Sequence, residues 1–158
     1  GASDEAWIEV ELGIVIAEGG RDIPEREALR HILGHVVAND VTAADPGGRD
    51  HHLAHSKSRD GFCPVSRFLR RGLDVADLAV RATINGRVAQ DSRTSDRFLD
   101  DARTVAFVSR RMTLEAGDLI LTGTPRGARQ AVVRPGDVGE VSIESLGSVR
   151  TRFTEERR

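Results

Sequence analysis

Glu9 and Glu11 stand two residues apart in a stretch that alternates apolar and polar positions, so both carboxylates leave the backbone on one side, about 7 Å apart. Two acids at that spacing can converge on a single ion. The neighbours on that side, Trp7, Gly13, Val15 and Ala17, keep it from being freely solvated, and half-buried carboxylates without a counter-charge repel and resist ionisation. A hard divalent cation resolves the conflict, and oxygen ligands point to magnesium, manganese or calcium before zinc. Taken alone, Glu-x-Glu is also the pattern of an edge strand whose polar face is simply wet. Asp40 changes the weighing, because it falls within the apolar run His35 to Val41, where a lone acid is costly to bury.

Seventeen residues beyond Asp40 comes Lys57, whose ammonium could hold a substrate carboxylate or enolate beside a metal, or act as acid or base once its pKa is tuned. It is the sole lysine among 23 basic residues, the others being arginine. That bias reflects codon usage, chance, or a position where a guanidinium will not serve. Further on, Thr122-Gly123-Thr124-Pro125 ends a strand in a turn, offering hydroxyls and backbone N–H groups to an anionic oxygen. His51, His52 and His55 have a spacing open to a metal or a proton relay and read more simply as a solvated loop, while His31 and His35 read as surface or ordinary packed residues.

These side chains need elements to position them. Alternation from Trp7 to Ala17, with Ile8, Val10, Leu12, Ile14 and Ile16 on one face, predicts a strand. Pro24 opens a helical pattern through Glu25, Ala28, Leu29, Ile32 and Leu33, with Gly34 placed to end it, and His35 to Thr42 reads as a second strand. Ala43 to Gly61 is polar, without period, and predicts a loop near the chemistry. Asn85-Gly86 between Leu78–Ile84 and Arg87–Asp91 predicts a tight hairpin. Leu99 to Arg111 has helical spacing; Asp118 to Thr122, Asp137 to Glu144 and Val149 to Phe153 read as strands, and Thr154 to Arg158 as a frayed tail. The pattern is α+β, mainly β.

The 158 residues, 39% hydrophobic and 30% charged, suit one domain over 1–158. A net charge of -2 gives no reason to expect nucleic acid or an anionic membrane, and no apolar run is long enough to span a bilayer. One cysteine, Cys63, agrees with a reducing compartment, so a cytoplasmic protein is expected.

Taken in order, Glu9-Val10-Glu11-Leu12, GHVVANDVTAAD (34–45), SKSRDGFCPV (56–65), INGRVAQDS (84–92), MTLEAGDLILTGTPRG (112–127) and the later RPGDVGEVSIESLG resemble the fumarylacetoacetate hydrolase family, nearly from end to end. The resemblance implies a mixed, barrel-like β-roll with two or three short helices. It implies Mg2+, with Mn2+ or Ca2+ as alternatives, held by Glu9, Glu11 and Asp40. Lys57 and Thr124 would be the catalytic and substrate-contacting side chains, with Gly123 and Asp40 lining the substrate site, and the protein would be a homodimer. The substrate would be a small diketo or 2-oxo acid of acylpyruvate or fumarylpyruvate type, as in aromatic catabolism, cleaved at a C–C bond. Two other outcomes are a 2-oxo diacid isomerase or decarboxylase, and a catalytically weak subunit that binds metal or ligand.

Two departures from the family stand out. Ala44 and Gly47 occupy positions where members carry a substrate-binding Arg and Gln, and Arg49 is the nearby substitute for the lost carboxylate clamp. Members also carry several dozen residues before the Glu-x-Glu strand, including a His and Glu lid pair; here eight residues precede Glu9, so the reading is of a catalytic domain without that segment.

Overall fold

The strand carrying Glu11 lies at the centre of the architecture. In the computed structural model, which describes residues 5–45, 48 and 50–155, the predicted strand from Trp7 divides into β1 (Ala6–Trp7) and β2 (Val10–Ile16). Ile8, Val10, Leu12, Ile14 and Ile16 are all buried, as their alternation requires. β2 pairs on one side with β3 (Ile32–Asn39) and on the other with β7 (Leu119–Leu121). A second sheet runs β10 (Gly147–Arg152), β9 (Val138–Ile143), β5 (Ala79–Ile84), β6 (Arg87–Arg93). β1 lies between β4 (Thr42–Ala43) and β8 (Val132–Val133) in a third. Every named strand pairing among the described residues is antiparallel, and the three sheets do not close into a barrel.

Helix is scarce: α1 (Glu25–Ala28), α2 (Ala54–Lys57) and α3 (Asp101–Ser109). The predicted first helix stops early, because Leu29–His31 tightens into a 3₁₀ turn and Ile32 and Leu33 already belong to β3. Gly34 is therefore not a helix terminator. It sits in β3 where a Cβ would lie 2.3 Å from the carbonyl oxygen of Arg70, so only glycine allows that segment to cross so closely. The hairpin forms as expected, with Asn85 at φ 51° and Gly86 at φ 79°, the left-handed pair of a tight turn. α3 is capped by Asp100, whose carboxylate accepts from the Arg103 amide at 2.8 Å.

Two cores result. Ile8, Val10, Leu12 and Val37 pack with Val80, Ala82, Val141 and Ile143 of the four-stranded sheet, while Ile14 and Ile16 pack with Ile23, Ala28, Val105 and Leu114. No helix among the described residues is long and apolar enough to cross a membrane. Gly47, Arg49 and the end of the C-terminal tail lie outside the described residues.

Candidate active site

Glu9 precedes β2 and Glu11 is its second residue; Asp40 follows the last residue of β3, at the strand's end rather than within it. The amide of Asp40 donates to the Glu9 carbonyl at 2.9 Å, which fastens the two acidic positions together through the main chain. One carboxylate oxygen from each of Glu9, Glu11 and Asp40 lies within 4.8 Å of the other two. The loop from Ala43 to Gly61 folds back over them: its one-turn helix α2 ends on Lys57, whose Nζ donates to Glu9 Oε2 at 3.1 Å, to Thr42 Oγ1 at 3.0 Å and to Asp40 Oδ2. Trp7 Nε1 donates to the other oxygen of Glu9 at 2.6 Å. From the opposite side, the Gly123 amide at the end of β7 donates to Glu11 Oε2 at 2.6 Å.

The electrostatics are uneven. Glu11 is 4% exposed, and burial pushes its carboxyl up to about 7; the Gly123 amide opposes this while the charges of Asp40 and Glu9 add to it. Burial alone would lower Lys57, but its bonds to Asp40 and Glu9 and their charges more than offset that, so its pKa is raised and the ammonium stays charged. Three clustered carboxylates thus face one ammonium. A hard cation among them fits the donor set: all-oxygen ligands, one of them buried and reluctant to ionise without further positive charge.

The other expected residues sort clearly. Thr124 stands beside Gly123 in the turn, its Oγ1 3.0 Å from Gln90 Nε2. His51, His52 and His55 are exposed, and His55 Nε2 accepts from Arg59 at 3.0 Å. His31 and His35 are buried, His31 against the Glu18 carbonyl and His35 against Asp101. Ala44 is half-buried and uses its amide on the Glu5 carbonyl. A cavity of about 300 Å³ lined by Val10, Leu12, Arg97, Phe98 and the Thr122–Pro125 turn holds none of the three carboxylates, since Val10 and Leu12 point away from the face that carries Glu11.

Sequence reasoning missed Asn39 and Gln90. Asn39 is fully buried and its Oδ1 accepts from the Glu9 amide at 3.1 Å. Both residues lie inside family-like stretches, yet as lone amides in strands they carry no pattern that announces a role.

A centre of clustered acids, a lysine and a Thr-Gly-Thr-Pro turn on an antiparallel fold defines the class. The fumarylacetoacetate (FAA) hydrolase C-terminal family matches residues 2–154, and the chain belongs to it. It is 36% identical to the mitochondrial oxaloacetate decarboxylase of Dictyostelium discoideum, over 91% of this chain and 68% of that protein. It superposes on 5-carboxymethyl-2-hydroxymuconate delta-isomerase from Mycobacterium smegmatis with a TM-score of 0.91 and 36% identity, covering 99% of this chain and 62% of that one. The fumarylpyruvate hydrolase of Pseudomonas aeruginosa, solved with Mn2+ and pyruvate, gives a TM-score of 0.89 at 29% identity, covering 98% and 68%. The chain spans 54% to 62% of the length of three curated relatives that are 38% to 43% identical to it.

Proposed function

We propose that this chain is the catalytic domain of a divalent-metal-dependent enzyme that cleaves a C–C bond in a small diketo or 2-oxo acid. The observation that carries the reading is the convergence of Glu9, Glu11 and Asp40 beside the Lys57 ammonium. Mg2+ or Mn2+ held by the three carboxylates would supply Lewis-acid polarisation of the substrate's carboxylate and keto oxygens. Lys57, kept charged by Glu9 and Asp40, anchors a substrate carboxylate or enolate oxygen rather than taking a proton. Gly123 spends its amide on Glu11 and so holds a ligand in place, leaving Thr124 as the group of that turn that meets substrate. Binding a carboxylate and the adjacent keto or enolate oxygen by metal, ammonium and hydroxyl suits a 2-oxo acid.

The 36%-identical oxaloacetate decarboxylase supports a second reading, decarboxylation of a 2-oxo diacid through the same enolate-stabilising groups. Product analysis separates the two. With Mg2+, an acylpyruvate should yield pyruvate and the matching acid on the first reading, whereas oxaloacetate should yield CO2 and pyruvate on the second. Calorimetric titration of Mn2+ followed by oxalate tests the shared centre: we expect metal-dependent oxalate binding, weakened roughly tenfold or more by Lys57→Met. Oxalate binding that ignores metal would overturn both readings.

A further inference from the structure

We propose that Gln90 is a positioning residue that fixes the Thr124 hydroxyl as a hydrogen-bond donor in the turn beside Gly123, whose amide holds Glu11. The inference rests on the reading of that site as a metal and 2-oxo-acid centre, and adds what selects the anionic ligand.

Gln90 lies on β6 and is 2% exposed. Its Oε1 accepts from the Val10 amide at 3.2 Å, and its Nε2 donates to the Pro125 carbonyl at 2.9 Å and to Thr124 Oγ1 at 3.0 Å. A backbone N–H can only donate and a carbonyl can only accept, so Val10 and Pro125 together settle which end of the amide is which. Facing an NH2 group, the Thr124 oxygen must be the acceptor, and its own proton must turn elsewhere. Among the described residues no other hydrogen bond engages that hydroxyl. It is left as a donor beside Gly123, whose amide holds Glu11. An oxygen that accepts, such as a carboxylate or enolate, is matched there; an amino group is not.

The same amide sets the spacing of the site. Val10 is the residue between Glu9 and Glu11, so one buried side chain ties the segment that bears two of the carboxylates to the turn that bears Thr124. The local fold is built for this. Ala82 pairs with Gln90 and Thr83 with Val88, which leaves Ala89 as an extra residue, a bulge of the kind that re-aims a side chain. Gly127 at φ 97° lets the turn approach the bulge, since a Cβ there would lie 2.8 Å from the Ala89 carbonyl oxygen.

The test measures Mn2+ affinity by electron paramagnetic resonance, and oxalate affinity of the Mn2+-loaded protein, in wild type, Gln90→Glu, Thr124→Val, Thr124→Ser and the Gln90→Glu/Thr124→Val pair. A carboxylate at position 90 has no N–H and draws the Thr124 proton onto itself. We expect Mn2+ affinity within about threefold of wild type throughout, oxalate affinity down roughly tenfold in each of Gln90→Glu and Thr124→Val, no further loss in the pair, and recovery in Thr124→Ser. Should Gln90→Glu fail to fold, Gln90→Met removes the amide without adding a charge and must still weaken oxalate in preference to Mn2+. The inference is overturned alone if wild type binds both ligands but Thr124→Val leaves oxalate unaffected, if the Gln90 variants weaken Mn2+ and oxalate equally, or if the two losses multiply in the pair. Wild-type protein that binds no Mn2+ or no oxalate overturns the underlying reading, and the inference with it.

Discussion

β2 and β3 carry ionisable groups on both faces, and the two faces treat charge in opposite ways. On one, Glu11 joins Glu9 and Asp40 with a single ammonium between them, and its pKa rises to about 7. On the other, His35 of β3 donates from Nε2 to Asp101 Oδ2 at 2.8 Å, and Arg97 donates to Asp101 Oδ1 at 2.7 Å. Burial pushes Asp101 up just as it does Glu11, but the His35 and Arg97 bonds and charges outweigh it, and the net shift is downward. Both acids are buried and both accept hydrogen bonds; what differs is that Asp101 has a guanidinium and an imidazole as its own donors, whereas Glu11 has a neutral backbone amide. The balanced face pins α3 to the sheet, whereas the unbalanced one leaves three carboxylates facing one ammonium.

The comparison can be broken most forcefully at Asp101. Asp101→Ala leaves Arg97, whose side chain is 11% exposed, without its carboxylate, and should cost about 3–5 kcal/mol in urea unfolding. A loss under 1 kcal/mol would mean the balanced face is not what secures α3.

A pH series at fixed temperature sharpens the contrast. Because Glu11 binds its proton more tightly folded than unfolded, its contribution is full below 4.5 and is lost as pH rises through about 7, on the order of 3 kcal/mol in metal-free protein. Saturating Mn2+ should flatten that decline. Asp101 has the opposite sign: its contribution is present above the unfolded aspartate value of about 3.9 and disappears as pH falls through its lower folded value. Asp101→Asn should therefore remove the share of the acid-side loss that exceeds what the exposed Asp50, Asp77, Asp96 and Asp137 contribute, and leave the neutral-side loss intact.

The smallest effect is expected from Glu11→Gln, which keeps an oxygen for the Gly123 amide but removes the uncompensated charge. At pH 8 without metal it should raise stability by about 1–2 kcal/mol, while lowering Mn2+ affinity in the same preparation. A destabilised variant would place Glu11 among the fold's supports.

Much of the unbalanced face was legible, because chemistry there rests on residue types at strand periodicity: Glu9, Glu11, Asp40 and Lys57 do come together. The hairpin was legible for a local reason, the left-handed φ that Asn85 and Gly86 accept. The balanced face was not. Asp101, Arg97 and His35 become partners only through the packing of α3, and nothing in their spacing foretells it. Nor was the early end of α1, since Ala28, Leu29, Ile32 and Leu33 match a helical period while the pairing of Ile32 and Gly34 with β2, which leaves Leu33 as the extra residue of a bulge, holds both in β3. Gly34 owes its place to a segment more than thirty residues on, the carbonyl of Arg70.

The bond from the Gly123 amide to Glu11 closes a span of 112 residues, and this bears on how the protein is made. A nascent chain emerges N-terminus first, so β2 leaves the ribosome with that edge bare and waits for β7, about a hundred residues further on. Premature termination upstream of Leu119 would strand that edge permanently. Products truncated between Lys57 and Leu119 should thus be recognised by their tendency to aggregate, even though they retain Glu9, Glu11 and Asp40.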